Sequence, residues 1–137
     1  MIKGKKIYLP ITSKNICHAY ELLLANGLVS FPLTQEGVGK VEAIVANINN
    51  PYFGVEIYET IEEKAVAFLY FLIKDHPFID GNKRTAILIF EVVCDLNDIS
   101  PEFNDFKLDQ LAVFIEKIKD NNHQEIIKNI AKIIFRF

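Results

Sequence analysis

The sequence predicts an all-α fold, a compact bundle of about six helices with one short β-like flap. Apolar residues recur at helical spacing along most of the chain, and threonines that can cap helices precede three of these stretches. Residues 52–59 are too short for a helix and are rich in β-forming residues. Half of the 137 residues are hydrophobic, which is enough to fill one core, so we expect residues 1–137 to form a single domain.

Caps and apolar spacing predict the first two helices. Thr12 precedes an apolar helical face, and Gly27 follows that face as a stop signal. Thr34 is expected to cap a second helix, which the next Asn-Asn-Pro sequence ends. Two glycines near its start, Gly37 and Gly39, lower the helical propensity of this second segment.

Residues 52–59 (Tyr-Phe-Gly-Val-Glu-Ile-Tyr-Glu) are too short for a helix, and we interpret them as a short hairpin or extended flap. The segment 60–63 (Thr-Ile-Glu-Glu) has the pattern of a capping box and opens a third helix. Residues 75–77 (Asp-His-Pro) should close it, because proline disfavours helical geometry in the residue before it.

Asn82 or Gly81 should lead into a fourth helix that runs to about Leu96. Residues 86–90 are apolar on every face, and a helix of that character is usually buried, so we expect this helix at the centre of the domain. Two amphipathic helices, over residues 108–118 and 126–134, are predicted to complete the bundle.

Composition and charge exclude several classes of protein. Fifteen basic and eighteen acidic residues give a net charge of −3, so nucleic-acid binding is not expected as the main activity. No apolar stretch reaches the ~18 residues that a membrane span needs, and the first residues do not have the pattern of a signal peptide. Cys17 and Cys94 are expected to be reduced and buried, as in a cytoplasmic protein.

Residues 76–84 (His-Pro-Phe-Ile-Asp-Gly-Asn-Lys-Arg) are the most informative part of the chain. A histidine such as His76 can accept a proton near neutral pH, and a carboxylate such as Asp80 can hold Mg2+. Backbone N–H groups at a helix start, with Lys83 and Arg84 beside them, can bind phosphates. These residue types in this order predict a site for a nucleoside triphosphate.

The same run resembles the Fic motif, His-x-Phe-x-acid-Gly-Asn-Gly-Arg. It resembles the Doc branch of that superfamily (death-on-curing toxins) more closely, because there Lys replaces the last Gly and Thr-Ala follow Arg. Residues 82–86 of this chain read Asn-Lys-Arg-Thr-Ala. The resemblance is closest over residues 60–86 and is loose before residue 50 and after residue 100.

The resemblance implies a role for each residue of the run. His76 would deprotonate a hydroxyl on a target protein, and Asp80 would hold Mg2+. Without the motif, His76 would be interpreted as the end of a helix and Asp80 as a turn residue. Phe78 is expected to anchor the loop in the core. The residues expected to bind the phosphates of ATP are Gly81, Asn82, Lys83 and Arg84.

The segment 52–59 stands where this family has a flap. We expect it to dock a segment of the target protein as an added strand, so that main-chain pairing sets the register of the target hydroxyl against His76. The expected docking residues are Phe53, Val55 and Ile57.

Two departures from the general Fic pattern favour one chemistry over another. Lys83 replaces a glycine of the anion loop, and Ile87 stands where the usual motif has a second arginine. Both argue against adenylyl transfer. The Doc resemblance implies instead a kinase that uses ATP and Mg2+ to phosphorylate a Thr of elongation factor Tu and so arrests translation. The alternatives are a protein adenylyltransferase and a Fic-fold binding module without catalysis.

Many Fic proteins carry an inhibitory helix with the pattern Ser/Thr-x-x-x-Glu-Gly/Asn. Here Glu36 alone among the glutamates precedes Gly or Asn, and Pro32 stands four residues before it, so the pattern does not occur in this sequence. The resemblance therefore implies restraint by a separate antitoxin protein. Contact with nucleic acid is expected only indirectly, through that antitoxin.

Overall fold

The computed structural model describes residues 6–103 and 105–135 of the chain. Within these ranges the backbone forms six α-helices and no β-sheet, which confirms the predicted all-α bundle. In chain order, the helices are α1 (Ser13–Ala25), α2 (Gln35–Asn49), α3 (Ile61–Lys74), α4 (Asn82–Leu96), α5 (Asp105–Lys117) and α6 (His123–Phe135).

Threonines begin the first three helices, as the sequence predicts. Thr12, Thr34 and Thr60 each accept a hydrogen bond from the backbone N–H three residues further along, which satisfies one of the N–H groups that a helix start leaves free. The predicted capping box of α3 is only half formed. The carboxylate of Glu63 accepts a hydrogen bond from the N–H of Glu59 rather than from that of Thr60. It therefore holds the backbone of the residue that precedes the N-cap.

The centre of the bundle is α3, which packs against α2, α4, α5 and α6. Eleven of its fourteen residues are buried. The prediction that α4 would be central was wrong, because α4 packs only against α1, α3 and α5 and leaves Val92 and Leu96 exposed. The apolar run 86–90 covers little more than one helical turn, whereas residues 65–73 of α3 are apolar over about 2.5 turns.

The two terminal helices and the cysteines complete the core. The two predicted C-terminal helices, α5 and α6, are present, and both pack their apolar faces against α3. Cys94 is buried as expected, whereas Cys17 is only half-buried, and neither forms a disulfide. None of the described helices has both the length and the apolar character needed to cross a bilayer.

The flap (residues 52–59) contains a tight hairpin turn that is not extended by paired strands. Tyr52 and Val55 form one antiparallel bridge, with N···O distances of 2.8 and 2.9 Å. Phe53 and Gly54 between them have φ angles of 49° and 76°, which are the positive values that a two-residue hairpin turn requires. The interpretation of this segment as a short hairpin is therefore correct for its first four residues.

Candidate active site

A cleft of about 670 Å³ lies between the start of α4, the helix α5 and the loop that joins α3 to α4 (residues 75–81, the motif loop). The predicted base, metal ligand and phosphate-binding residues all line this cleft: His76, Asp80, Gly81, Asn82, Lys83 and Arg84. The flap residues Phe53, Val55 and Ile57 are not part of its lining.

His76 has a backbone conformation that is uncommon for a residue with a side chain. Its φ of 46° lies in the left-handed region, directly after the end of α3. The side chain is exposed in the cleft and makes no hydrogen bond with the described part of the chain. An imidazole in this position is available to accept a proton from a bound hydroxyl.

Tyr20 of α1 supports the motif loop from behind. Its ring stacks on Phe78 with a centroid distance of 4.1 Å and an interplanar angle of 10°. Its hydroxyl donates to the carbonyl of Phe31. Burial, and then the charge of Asp80, raise the pKa of this hydroxyl, so it stays a donor. Phe78 is buried, which agrees with its expected role as the anchor of the loop.

The connection between α1 and α2 holds the other end of the motif loop. The backbone N–H of Ser30 donates to Oδ2 of Asp80 at 3.2 Å, which orients the carboxylate. Val29 lies so close to Gly81 that a Cβ at Gly81 would be 2.3 Å from Cγ1 of Val29. Gly81 also has a φ of 81°, so this position needs glycine both for its conformation and for its space.

The side chain of Asn82 closes the motif loop. Its Nδ2 donates to the carbonyl of Phe78 at 2.8 Å, and its Oδ1 accepts the N–H of Phe78 at 2.9 Å. The hydroxyl of Thr85 donates in turn to the carbonyl of Gly81 at 2.8 Å. The amide of Asn82 is therefore engaged with the loop, and the backbone N–H is the group that this residue can offer to a phosphate.

The start of α4 differs from the starts of α1, α2 and α3. Its N-cap is Gly81, which supplies no side-chain hydrogen bond. The first N–H groups of a helix have no carbonyl partner within the helix, so those of α4 are available to a ligand that accepts hydrogen bonds. Lys83 and Arg84 lie in this first turn, where the helix dipole disfavours a cation unless an anion is bound.

The two cations at the cleft have different surroundings. Nζ of Lys83 lies 2.9 and 3.1 Å from the two carboxylate oxygens of Glu116 on α5. The hydrogen bond from Lys83 lowers the pKa of Glu116. Arg84 is exposed and has no hydrogen bond or ion pair with the residues that the structure describes, so its guanidinium is open to the cleft.

The donor set at the cleft suits Mg2+ that binds together with a nucleotide. The described residues contain no group of three or more His, Cys, Asp or Glu side chains placed to hold a metal ion. Of the two carboxylates in the motif loop, Asp80 lines the cleft and Asp75 does not. Mg2+ commonly takes one or two protein carboxylates and fills its other positions with phosphate oxygens and water, so the residues present fit that arrangement.

The three predicted docking residues of the flap have different environments. Phe53 is 89% exposed and Val55 is 64% exposed, whereas Ile57 packs against the core. Behind them, the buried amine of Lys64 contacts the carboxylate of Glu56 at 3.0 Å and donates to the carbonyl of Tyr58. The flap is therefore anchored at its base and exposed at its tip.

Sequence reasoning did not identify Tyr20, Val29, Ser30 or Glu116. The first three stand about 50 residues before the motif loop that they contact, and each has an ordinary local context. Glu116 lies on the exposed side of an amphipathic helix, where an acidic residue is usual. No spacing rule connects any of them with the motif.

Comparison with known proteins agrees with this geometry. Residues 10–94 match the model of the Fic/DOC family. A segment of 68 residues is 37% identical to a protein named Toxin Doc from Mycolicibacterium smegmatis, over 48% of this chain and 52% of that toxin. The chain thus spans about half the length of this curated relative, and no solved structure matches it significantly. Because the family match covers more than half of its residues, the chain belongs to the Fic/DOC family.

Proposed function

We propose that this protein is a Doc-like toxin of a toxin–antitoxin module, which transfers the terminal phosphoryl group of ATP to a hydroxyl of a target protein. The observation that carries the proposal is that His76, Asp80 and the uncapped start of α4 line one cleft together with Lys83 and Arg84. A base, a hard oxygen ligand and an anion site are the parts that in-line phosphoryl transfer requires.

The phosphates of ATP would bind at the start of α4, where backbone N–H groups and Arg84 can donate to them. Lys83 would exchange the carboxylate of Glu116 for a phosphate oxygen, since an exposed ion pair is weak and easily replaced. Asp80 would hold Mg2+, which offsets phosphate charge when it is bound.

The transfer step needs His76 in its neutral form. Its imidazole takes the proton of the target hydroxyl as that oxygen attacks the terminal phosphorus of ATP. The bond between this phosphorus and the oxygen bridging it to the β-phosphorus breaks, and ADP leaves with the electron pair. The product is a phosphoester on the target, and the proton remains on the imidazole until solvent removes it.

Two residues of the cleft support phosphoryl rather than adenylyl transfer. Ile87 lines the cleft with an apolar side chain, which cannot bind a phosphate. Lys83 places a long side chain where the general Fic motif has glycine. Attack at the α-phosphorus requires a nucleotide seated deep in the anion site, so these side chains favour placing the terminal phosphate beside His76.

The resemblance to Doc toxins suggests a target and an inhibitor. We propose that the flap docks a segment of elongation factor Tu through its exposed tip, so that a Thr hydroxyl reaches His76. An antitoxin would restrain the enzyme in trans. The similarity to a protein named Toxin Doc supports the antitoxin partner.

Intact mass spectrometry of elongation factor Tu, after incubation with this protein, ATP and Mg2+, tests the proposal. We expect a gain of one phosphoryl group, which is lost when Mg2+ is omitted or when the enzyme carries His76→Ala. A gain of one AMP unit would replace the kinase with the adenylyltransferase alternative. If no protein of a whole cell lysate gains mass, the enzymatic proposal is wrong and the binding module is favoured.

A further inference from the structure

Helix α2 contacts the backbone of the motif loop at Gly37. A Cβ built on this glycine would lie 2.5 Å from the carbonyl oxygen and 3.6 Å from the carbonyl carbon of Pro77. Real Cβ atoms essentially never approach an oxygen as closely as 2.5 Å, and backbone atoms on both sides leave little freedom to adjust. The contact is therefore possible only because Gly37 has no side chain.

Gly37 is itself held firmly in place. It is buried in the first turn of α2, and its N–H donates to the hydroxyl of Thr34 at 2.9 Å. This cap fixes the part of α2 that meets the loop. Glycine at this position lowers the helical propensity of α2. The close approach to Pro77 explains why a glycine is nevertheless needed there.

The peptide group between Pro77 and Phe78 is held from two sides. Its carbonyl oxygen lies against Gly37, and its N–H donates to Oδ1 of Asn82 at 2.9 Å. Because a peptide group is planar, fixing both ends fixes its orientation. His76 precedes this group by one residue, and proline between them has a restricted φ.

The conformation of His76 requires such support. A residue with a side chain adopts a φ of 46° at a cost in free energy, and it persists there only when the surrounding structure determines it. The side chain of His76 has no hydrogen bond with the described residues that would hold it from the cleft side. Its placement therefore depends on the backbone that follows it.

We propose that Gly37 is a positioning residue of the active site. Because Gly37 has no side chain, the Pro77 carbonyl can pack directly against α2. This contact sets the orientation of the Pro77–Phe78 peptide group, and that orientation sets the position of the His76 imidazole. The expected effect of Gly37 on catalysis rests on the proposed function. The expected effect of Gly37 on the position of His76 is independent of it.

Gly37→Ala and Gly39→Ala form a matched pair of variants. Both lie in the first turns of α2, and both add one methyl group and raise helical propensity. A Cβ at Gly39 would meet nothing within 4 Å, so only the change at Gly37 reaches the motif loop. We expect Gly37→Ala to shift the imidazole NMR resonances of His76, while Gly39→Ala leaves them unchanged.

Kinetics give the second measurement. A displacement of a reacting group by about 1 Å can reduce the rate roughly 100-fold, so we expect Gly37→Ala to lower kcat by roughly 10- to 100-fold. The KM for ATP should change less than kcat, because Gly37 does not contact α4 and the displaced peptide group reaches α4 only through the side chain of Asn82. Gly39→Ala should retain the wild-type kcat. If Gly37→Ala only unfolded part of the protein, the amount of active enzyme would fall, but the His76 resonances of the folded molecules would not shift.

A gentler pair of variants covers the case in which Gly37→Ala does not fold. Thr34→Ala removes the hydroxyl that fixes Gly37, and Thr12→Ala removes the equivalent cap of α1. The first should shift the His76 resonances and the second should not. If His76 is unmoved in Gly37→Ala, or in Thr34→Ala when the former is unfolded, the inference is wrong. An inactive wild-type enzyme contradicts the proposed function alone, since the NMR comparison still decides the inference.

Discussion

The motif loop and the flap are two irregular segments at opposite ends of α3, and they resemble each other locally. Each combines a glycine and a residue with a side chain at positive φ: Gly81 and His76 in the loop, Gly54 and Phe53 in the flap. They differ in what lies behind them. The loop is packed against α1, the α1–α2 connection and α2, whereas the tip of the flap is exposed and held by its own two hydrogen bonds.

This difference shows that similar backbone geometry can have two sources of stability. Tertiary contacts fix the loop, so a catalytic group placed on it keeps one position. Local hydrogen bonding and glycine form the flap turn, so its side chains and backbone remain accessible to another chain. Fixed geometry suits chemistry, and accessibility suits the recognition of a protein segment.

The largest expected effect is the loss of activity on changing the loop's proposed base. His76→Ala should lower the rate of transfer by about 10²- to 10⁴-fold, which is the usual contribution of a general base. Because the side chain is exposed, circular dichroism should show an unchanged helical content. A folded variant that transfers at the wild-type rate would exclude His76 as the base.

Alanine at the positive-φ glycine of each region compares the stability of the two regions directly. Gly81→Ala adds a clash with Val29 to the strain of its φ, and should lower the free energy of unfolding by about 2–4 kcal/mol. Gly54→Ala meets nothing within 4 Å, and should cost only ~1 kcal/mol. Urea denaturation measures both values. Equal losses would mean that the loop is no more tightly packed than the flap.

Removal of an aromatic ring from the tip tests whether the flap recognises the target. Phe53 is 89% exposed, so Phe53→Ala should leave stability and ATP binding unchanged. The KM for the target protein should rise roughly 5- to 30-fold if the ring is an anchor of the interface. Ile133→Ala, which changes a 74% exposed residue of α6, is the control. A parallel loss of ATP affinity would show that the flap serves the nucleotide instead.

A smaller effect is expected at the ion pair that crosses the cleft. Glu116→Gln frees Lys83 for phosphate, so the dissociation constant for ATP should fall by about 2- to 5-fold. Isothermal titration calorimetry with and without Mg2+ provides the measurement, and Asp109→Asn, another change on α5 at the cleft, provides the comparison. Weaker ATP binding in Glu116→Gln would show that the carboxylate does not compete with phosphate.

The smallest effect is the pH dependence of the same pair. Lys83 lowers the pKa of Glu116 in the folded protein, so the stabilisation is present above the unfolded pKa and is lost as the pH falls through the folded pKa. Glu116→Gln, which resembles the protonated carboxyl, should therefore have a lower Tm than wild type at pH 7, and the difference should disappear in acid. A Tm difference that is constant from pH 7 to pH 3 would contradict the pair.

Features encoded in neighbouring residues were predictable from the sequence. Thr12, Thr34 and Thr60 identify three helix starts because capping is a local interaction. The motif also identifies the cleft residues that it contains, since they are contiguous or nearly so, but not the residues of α5 on the other side of the cleft. Contacts between distant segments were not predictable, which is why the central place of α3 and the support of the loop by Tyr20 and Ser30 emerge only from the fold.

The glycine cap of α4 has a consequence for the lifetime of the protein. Without an anion, two cations stand at a helix end whose N-cap residue supplies no side-chain acceptor to the first N–H groups. Any ligand that binds the folded state alone raises its stability by mass action, by ~2.7 kcal/mol at a concentration 100 times its dissociation constant. Under the proposed function, the fraction of molecules open to cellular proteases would fall as ATP rises. A cell with a low ATP concentration would then degrade this protein faster than a cell with a high ATP concentration.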